Sequence, residues 1–205
     1  MREVAGTIVT EDDEDCQMGK VRNALMAYLV ELDVDECGCL DGDESAFPLT
    51  ADQHDWNTPY PRVERAVEFE WEAGEGDGRP DVFWYPQILD WVCDERAYRV
   101  LQRVAGADIH TLAEGVLDGE PVFVVQAPHV LDVVDREASL IDTYPTYEAL
   151  RFPAFRRSAA DALAARVFRV PGGITMVFVG ERVKQALDEA GVKGITYVPV
   201  DWGDG

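Results

Sequence analysis

The sequence is poor in the side chains that most often carry chemistry. Its three histidines, His54, His110 and His129, share no spacing at which two imidazoles would face one ion. Of its three serines, Ser45, Ser139 and Ser158, none sits in the G-x-S-x-G turn that exposes a hydrolytic nucleophile. There is no G-x-x-x-x-G-K-[ST] loop, and "GEGDG" at 74–78 lacks the helix and the lysine that a phosphate site needs. The four cysteines, Cys16, Cys37, Cys39 and Cys93, are too few for a disulfide framework in 205 residues. Cys37 and Cys39 with His54 fall short of a structural zinc set, because C-x-C is a residue too tight and no second matching pair exists. No apolar run approaches the roughly 20 residues that span a bilayer. "MREVAGTIVTEDDEDCQMGK" lacks the basic start and apolar centre of a secretion signal. We therefore expect a cytoplasmic protein that is not an enzyme, uses no metal or cofactor, and does not enter membranes.

Basic residues are scarce as well. Eighteen lysines and arginines face 40 acidic residues, for a net charge of −22, and only Lys20, Lys184 and Lys193 are lysines. Direct nucleic-acid binding is excluded, since phosphate contacts need a basic surface. Such acidity suits either a salt-adapted surface or a basic protein partner. The distribution favours the partner. Residues 1–25 carry six acids and three bases, 26–90 carry 17 and three, and 91–205 carry 17 and 12. Salt adaptation would spread the acid evenly, whereas here it is concentrated in residues 26–90, at −14 against −5 for the longer segment that follows.

What is abundant is apolar and aromatic: 47% hydrophobic residues, with five Trp, seven Tyr and eight Phe, enough for a sizeable core. One domain spanning 26–205 is expected, behind an acidic and mobile 1–25 extension. "AYLVELDV" predicts a strand over 27–34, and Val67, Phe69 and Trp71 alternate with Glu68, Glu70 and Glu72 as a half-buried strand should. A helix is expected over 94–104, capped by Asp94 and ended by Gly106, and a buried strand over 122–126. "SAADALAA" has helix-forming composition, and "ARVFRVPGGITMVFVG" reads as two strands around a Pro-Gly-Gly turn. Over 178–200 a strand, a helix at 181–190 burying Val183, Ala186, Leu187 and Ala190, and a last strand follow in turn. "WVCDERAYRVLQRVAG" and "FVGERVKQALDEAG" echo each other, with a leucine five residues after Arg96 and after Arg182. Irregular loops rather than a regular βαβ series predict an α+β fold with a mixed, mainly antiparallel sheet and packed short helices.

Two acidic constellations stand out. Strand geometry sets Glu68, Glu70 and Glu72 in one row at about 7 Å intervals, twice the rise per residue. That row is either a charge-protected strand face or part of an anionic docking surface over residues 31–81. "LDVVDREAS" brings Asp132, Asp135, Glu137 and Ser139 together. These could hold Mg²⁺ or act as acid and base if burial separated their pKa values, but a turn held by local side-chain-to-backbone bonds is the simpler account. A contribution to partner binding stays open for Asp132, Asp135 and Glu137.

In order, "WVCDERAYRVLQRVAG", "VFVVQAPHVLDVVDREAS", "RVFRV" and "FVGERVKQALDEAGVKGITYVPV" resemble a bacterial immunity-protein family of polymorphic toxin systems, immunity protein eleven and its close relatives. The elements that carry the resemblance are the cap and helix at 94–101, the "vLD…S" segment at 131–139, and the last helix at 181–187 leading through 194–197 into a strand. It covers roughly residues 80–200, with "AYLVELDV" a weaker match. Two features depart from the family pattern: Gly180 stands where a Ser or Asp cap is usual, and the acidic 1–90 has no counterpart. The resemblance implies a non-enzymatic protein that binds and neutralises a cognate toxin by covering a basic surface or active site. Two other readings remain: an acidic interaction module of a salt-adapted cell, and a carboxylate-dependent enzyme whose pocket would bring acids to His110 or His129.

Overall fold

A computed structural model describes residues 26–32, 38–42, 46–47, 61–75, 78–85, 90–173 and 175–204. The 1–25 extension, Cys37 and His54 lie outside them. The first described strand, β1 (Ala27–Glu31), does not join the acidic strands that follow it in sequence. Those strands close into a barrel instead. Around it run β2 (Cys39–Gly42), β3 (Val67–Glu72), β6 (His110–Leu117), β7 (Glu120–Gln126), β5 (Asp90–Asp94) and β4 (Val82–Tyr85). The β2–β4 and β3–β6 contacts are parallel and the other four antiparallel. Asp118 and Gly119, at φ 54° and 84°, form the two-residue turn that joins β6 to β7, a conformation whose twist suits a tight hairpin.

Period-two alternation decides what fills the barrel. Val67 and Phe69 point inward and are buried with Leu40, Phe83, Tyr85 and Leu112. Phe69 meets Tyr85 edge-on at 5.2 Å between ring centroids. It is also wedged between two backbones, because a Cβ on Gly42 or Gly115 would come within 2.9 or 2.6 Å of its ring. Only glycine leaves room for the ring on both flanking strands.

The second layer repeats one device twice. Strand β5 runs into helix α1 (Glu95–Ala105), whose start is capped by Asp94 through a 2.7 Å bond from the Ala97 N–H. Strand β12 (Val177–Gly180) runs into helix α3 (Glu181–Glu189). The echoed positions match in packing: Ala97 and Val183 are buried, as are Leu101 and Leu187, and the two helices pack on each other between barrel and sheet. Gly180 has no side chain to cap α3, and none would fit. Its Cβ would collide with the Leu163 carbonyl oxygen and the Ala164 carbonyl.

Beyond α3 lies a four-stranded antiparallel sheet, ordered β11 (Val167–Phe168), β12, β1 and β13 (Thr196–Pro199). Here β1 is inserted between β12 and β13, so the 177–199 strand–helix–strand unit is split by a strand from the other end of the described chain. Glu181 anchors the insertion by accepting the Tyr28 hydroxyl at 2.5 Å. Burial, with Glu181 beside it, pushes the Tyr28 hydroxyl pKa up and keeps it a donor. The sheet's far face packs Phe155, Phe168 and Phe178 with Val170 and Val200. There β10 (Ala154–Arg156) pairs with β14 (Asp201–Gly203), and β8 (Leu140–Thr143) with β9 (Glu148–Phe152). The "SAADALAA" helix shrinks to α2 (Ala160–Leu163), since Asp108 takes the Arg166 guanidinium at 2.7 Å and draws the chain into β11. The fold is α+β in a single domain, as the patterning predicts, and no helix among the described residues is long and apolar enough to cross a membrane.

Three substitutions test this packing by thermal or denaturant unfolding. Gly115→Ala should cost about 1–3 kcal/mol by forcing Phe69 off its rotamer, and Gly180→Ser should destabilise although serine is a good cap residue. At Asp94, burial outweighs the Ala97 N–H bond, and with Asp81 nearby it raises the carboxyl pKa. A raised native pKa contributes stability below the unfolded value, near pH 4, and loses it as pH climbs through the native value. Asp94→Asn, which keeps a cap, should therefore stabilise the protein at neutral pH and lose that advantage below about pH 4.

Candidate functional site

The barrel closure fixes where the β3 carboxylates point. With Val67 and Phe69 inside, Glu68, Glu70 and Glu72 all stand exposed on the outer face. The registers add neighbours to the row. Glu70 lies directly opposite the exposed Asp41 on β2, Glu72 opposite the half-buried Cys39, and Glu68 opposite Val116 on β6, which is 39% exposed. One step along β6, Glu114 also faces solvent, with Arg62 3.3 Å away.

No ion pair joins Glu68, Glu70, Glu72 or Asp41 to another described residue. Some acids elsewhere are neutralised locally: Arg99 holds Glu95 and Lys184 holds Asp188, each at 2.5 Å, and Arg136 holds Glu148 at 2.7 Å. Like charges set directly across a strand pair destabilise it, so the Asp41–Glu70 juxtaposition costs the isolated protein a fraction of a kcal/mol, about 0.2–1. A guanidinium or ammonium arriving from outside would relieve that repulsion. The closed barrel also offers no strand edge here, so a ligand on this face must be held by side chains.

The second acidic group divides. Asp132 is 86% exposed in its side chain and lies 3.4 Å from Arg156, and Glu137 is exposed. Asp135 is buried, which sets it apart from the exposed Asp132 and Glu137. Its Oδ1 accepts the N–H groups of Glu137 and Ala138 at 3.1 and 3.2 Å, and its carbonyl accepts Ser139 Oγ at 2.5 Å. Its other oxygen packs against Gly203, where a Cβ would strike it. The carboxylate folds the turn that feeds β8. Phe83, Tyr85 and Trp91 are core.

Of the described histidines, only His129 has a polar side-chain contact. His129 Nε2 lies 3.0 Å from the Ala107 carbonyl and 3.7 Å from Asp108, whose buried carboxylate already takes Arg166 and the Val167 N–H. His110 opens β6 opposite Gln126. Among the described residues, no three His, Cys, Asp or Glu side chains gather as metal ligands, and Cys39 and Cys93 are free thiols. Burial pushes the Cys93 thiol pKa up, so it stays protonated inside the core. Reading the sequence missed the exposed β8–β9 hairpin. The apolar pairs on either side of "TYPTYE" were its signal. No family model matches the chain, and no curated protein matches it.

The division within the second acidic group is measurable. Asp135→Ala should cost about 1–3 kcal/mol in denaturant unfolding, because the turn loses a buried carboxylate that accepts two part-buried N–H groups. Asp132→Asn should stay within about 0.5 kcal/mol, as expected of an exposed ion pair.

Proposed function

We propose that this chain is a bacterial immunity protein of a polymorphic toxin system, which binds a cognate protein toxin in the producing cell and neutralises it. The observation that carries the reading is the row of Glu68, Glu70 and Glu72 beside Asp41, exposed and without an ion pair to any described residue. The resemblance of residues 80–200 to the immunity-protein family supplies the class, and the row supplies a means of recognition. An array of unneutralised carboxylates on a closed barrel attracts a basic surface at long range and gains most when that surface docks. Val116 beside Glu68 gives the face a small apolar spot on which the aliphatic stem of an arginine or lysine could rest. Asp132 and Glu137 belong to a different loop and extend the contact only if the toxin reaches past the barrel.

The test is association kinetics with the toxin encoded beside this chain, at low and high salt. Glu68→Gln, Glu70→Gln and Glu72→Gln together should slow association by roughly tenfold at low salt and flatten its salt dependence, with unfolding behaviour unchanged. Single substitutions should have small effects unless one carboxylate is fully desolvated, where the loss would reach about 2–5 kcal/mol. An unchanged on-rate in the triple variant would remove this face from the interface.

A further inference from the structure

The β8–β9 hairpin belongs to neither the barrel nor the four-stranded sheet. It bears four of the six large apolar side chains most exposed among the described residues: Leu140 at 54%, Tyr144 at 42%, Tyr147 at 60% and Phe152 at 70%. The other two, Val116 and Val198, lie on separate elements, so this hairpin holds the concentrated apolar surface. It is firmly built. Leu150 is buried, Tyr144 and Tyr147 stack at 4.6 Å across the turn, and the Tyr144 N–H donates to the Tyr147 carbonyl at 2.9 Å.

Two features say what covers it. The first is charge. Residues 130–157 carry five acids and four bases, a net −1 within a chain of −22, and Arg136 and Arg151 each lie beside a carboxylate of the hairpin, Glu148 and Asp142. Two copies of so acidic a chain repel through most faces, and this is a face on which they can meet.

The second is the open backbone edge. The Leu150 N–H donates away from β8, to the Gly172 carbonyl at 3.2 Å. Its register partner Ile141 must then turn its own N–H and carbonyl away from β9, toward the unpaired side of β8. No described residue outside the hairpin bonds to those groups.

We propose that β8 pairs antiparallel with β8 of a second copy about a two-fold axis at Ile141, giving a four-stranded sheet across a dimer. In that register each Ile141 exchanges both backbone bonds with its symmetry mate, and Leu140 stands opposite Asp142 of the second copy. No like charges oppose each other, as a self-complementary interface requires. The acidic barrel face plays no part in this pairing.

Sedimentation velocity of the full chain over a range of concentrations tests it. The expected result is a monomer–dimer equilibrium that tightens with added salt, because screening weakens repulsion between two chains of like charge. Association with a basic toxin would instead weaken with salt, so failure of one reading is distinguishable from failure of the other. Leu140→Asp should weaken the dimer on the order of tenfold, since the two-fold axis sets it against Asp142 twice. Leu140→Lys, at the same exposed position, should keep or tighten it. A monomer at every concentration, a dimer indifferent to Leu140→Asp, or equal loss with Leu140→Lys would overturn the proposal.

Discussion

The seating of Phe69 between two glycine backbones is the contact on which the rest of the barrel depends. Gly42 on β2 and Gly115 on β6 each bring their Cα against the ring, closer than a Cβ would allow. The ring thereby sets the register of β3 against both neighbours, including the parallel partner β6, which no short turn could align. A slip of one residue would drive Glu68 and Glu70 into an apolar interior and put Phe69 in water. The outward carboxylate row is thus a consequence of how the core is filled.

The same economy governs the join between barrel and sheet. A strand runs into a helix twice, and the two helices bury equivalent residues against each other, Ala97 with Leu101 and Val183 with Leu187. The caps differ because their surroundings differ. Asp94 has room for a side chain and lies among Asp81 and Arg96, whereas Gly180 is pressed onto the backbone at Leu163 and Ala164. On these helices Glu95 and Asp188 are each paired within a turn, by Arg99 and Lys184.

What could be read from the sequence was what short-range periodicity encodes. The alternation from Val67 to Glu72, the Asp94 cap and the helix from Glu181 fell where patterning placed them, within a residue or two. Barrel closure could not be read, because it rests on Phe69 meeting glycines far away in sequence. Nor could the insertion of β1 between β12 and β13, which depends on Tyr28 reaching Glu181. Asp118-Gly119 was a plain hairpin signal for β6 and β7 that the reading passed over. Among the candidate residues, the exposure of Glu68, Glu70 and Glu72 followed from alternation alone. The burial of Asp135 did not, since Gly203, which packs on its carboxylate, comes from the far end of the chain.

The closed barrel carries an acidic face without edges, and the β8–β9 hairpin is a separate, nearly charge-balanced surface with an open edge. On the proposed function, the barrel's carboxylate row is the surface that meets a basic toxin. Hydrogen exchange of the full chain, with and without the proposed basic toxin partner, tests that contact. The expected result is slowed exchange in β2, β3 and β6, around Asp41, Glu68, Glu70 and Glu114, with the α1–α3 layer unchanged. Protection confined to β8 and β9, with the barrel strands exchanging as in the free protein, would contradict it.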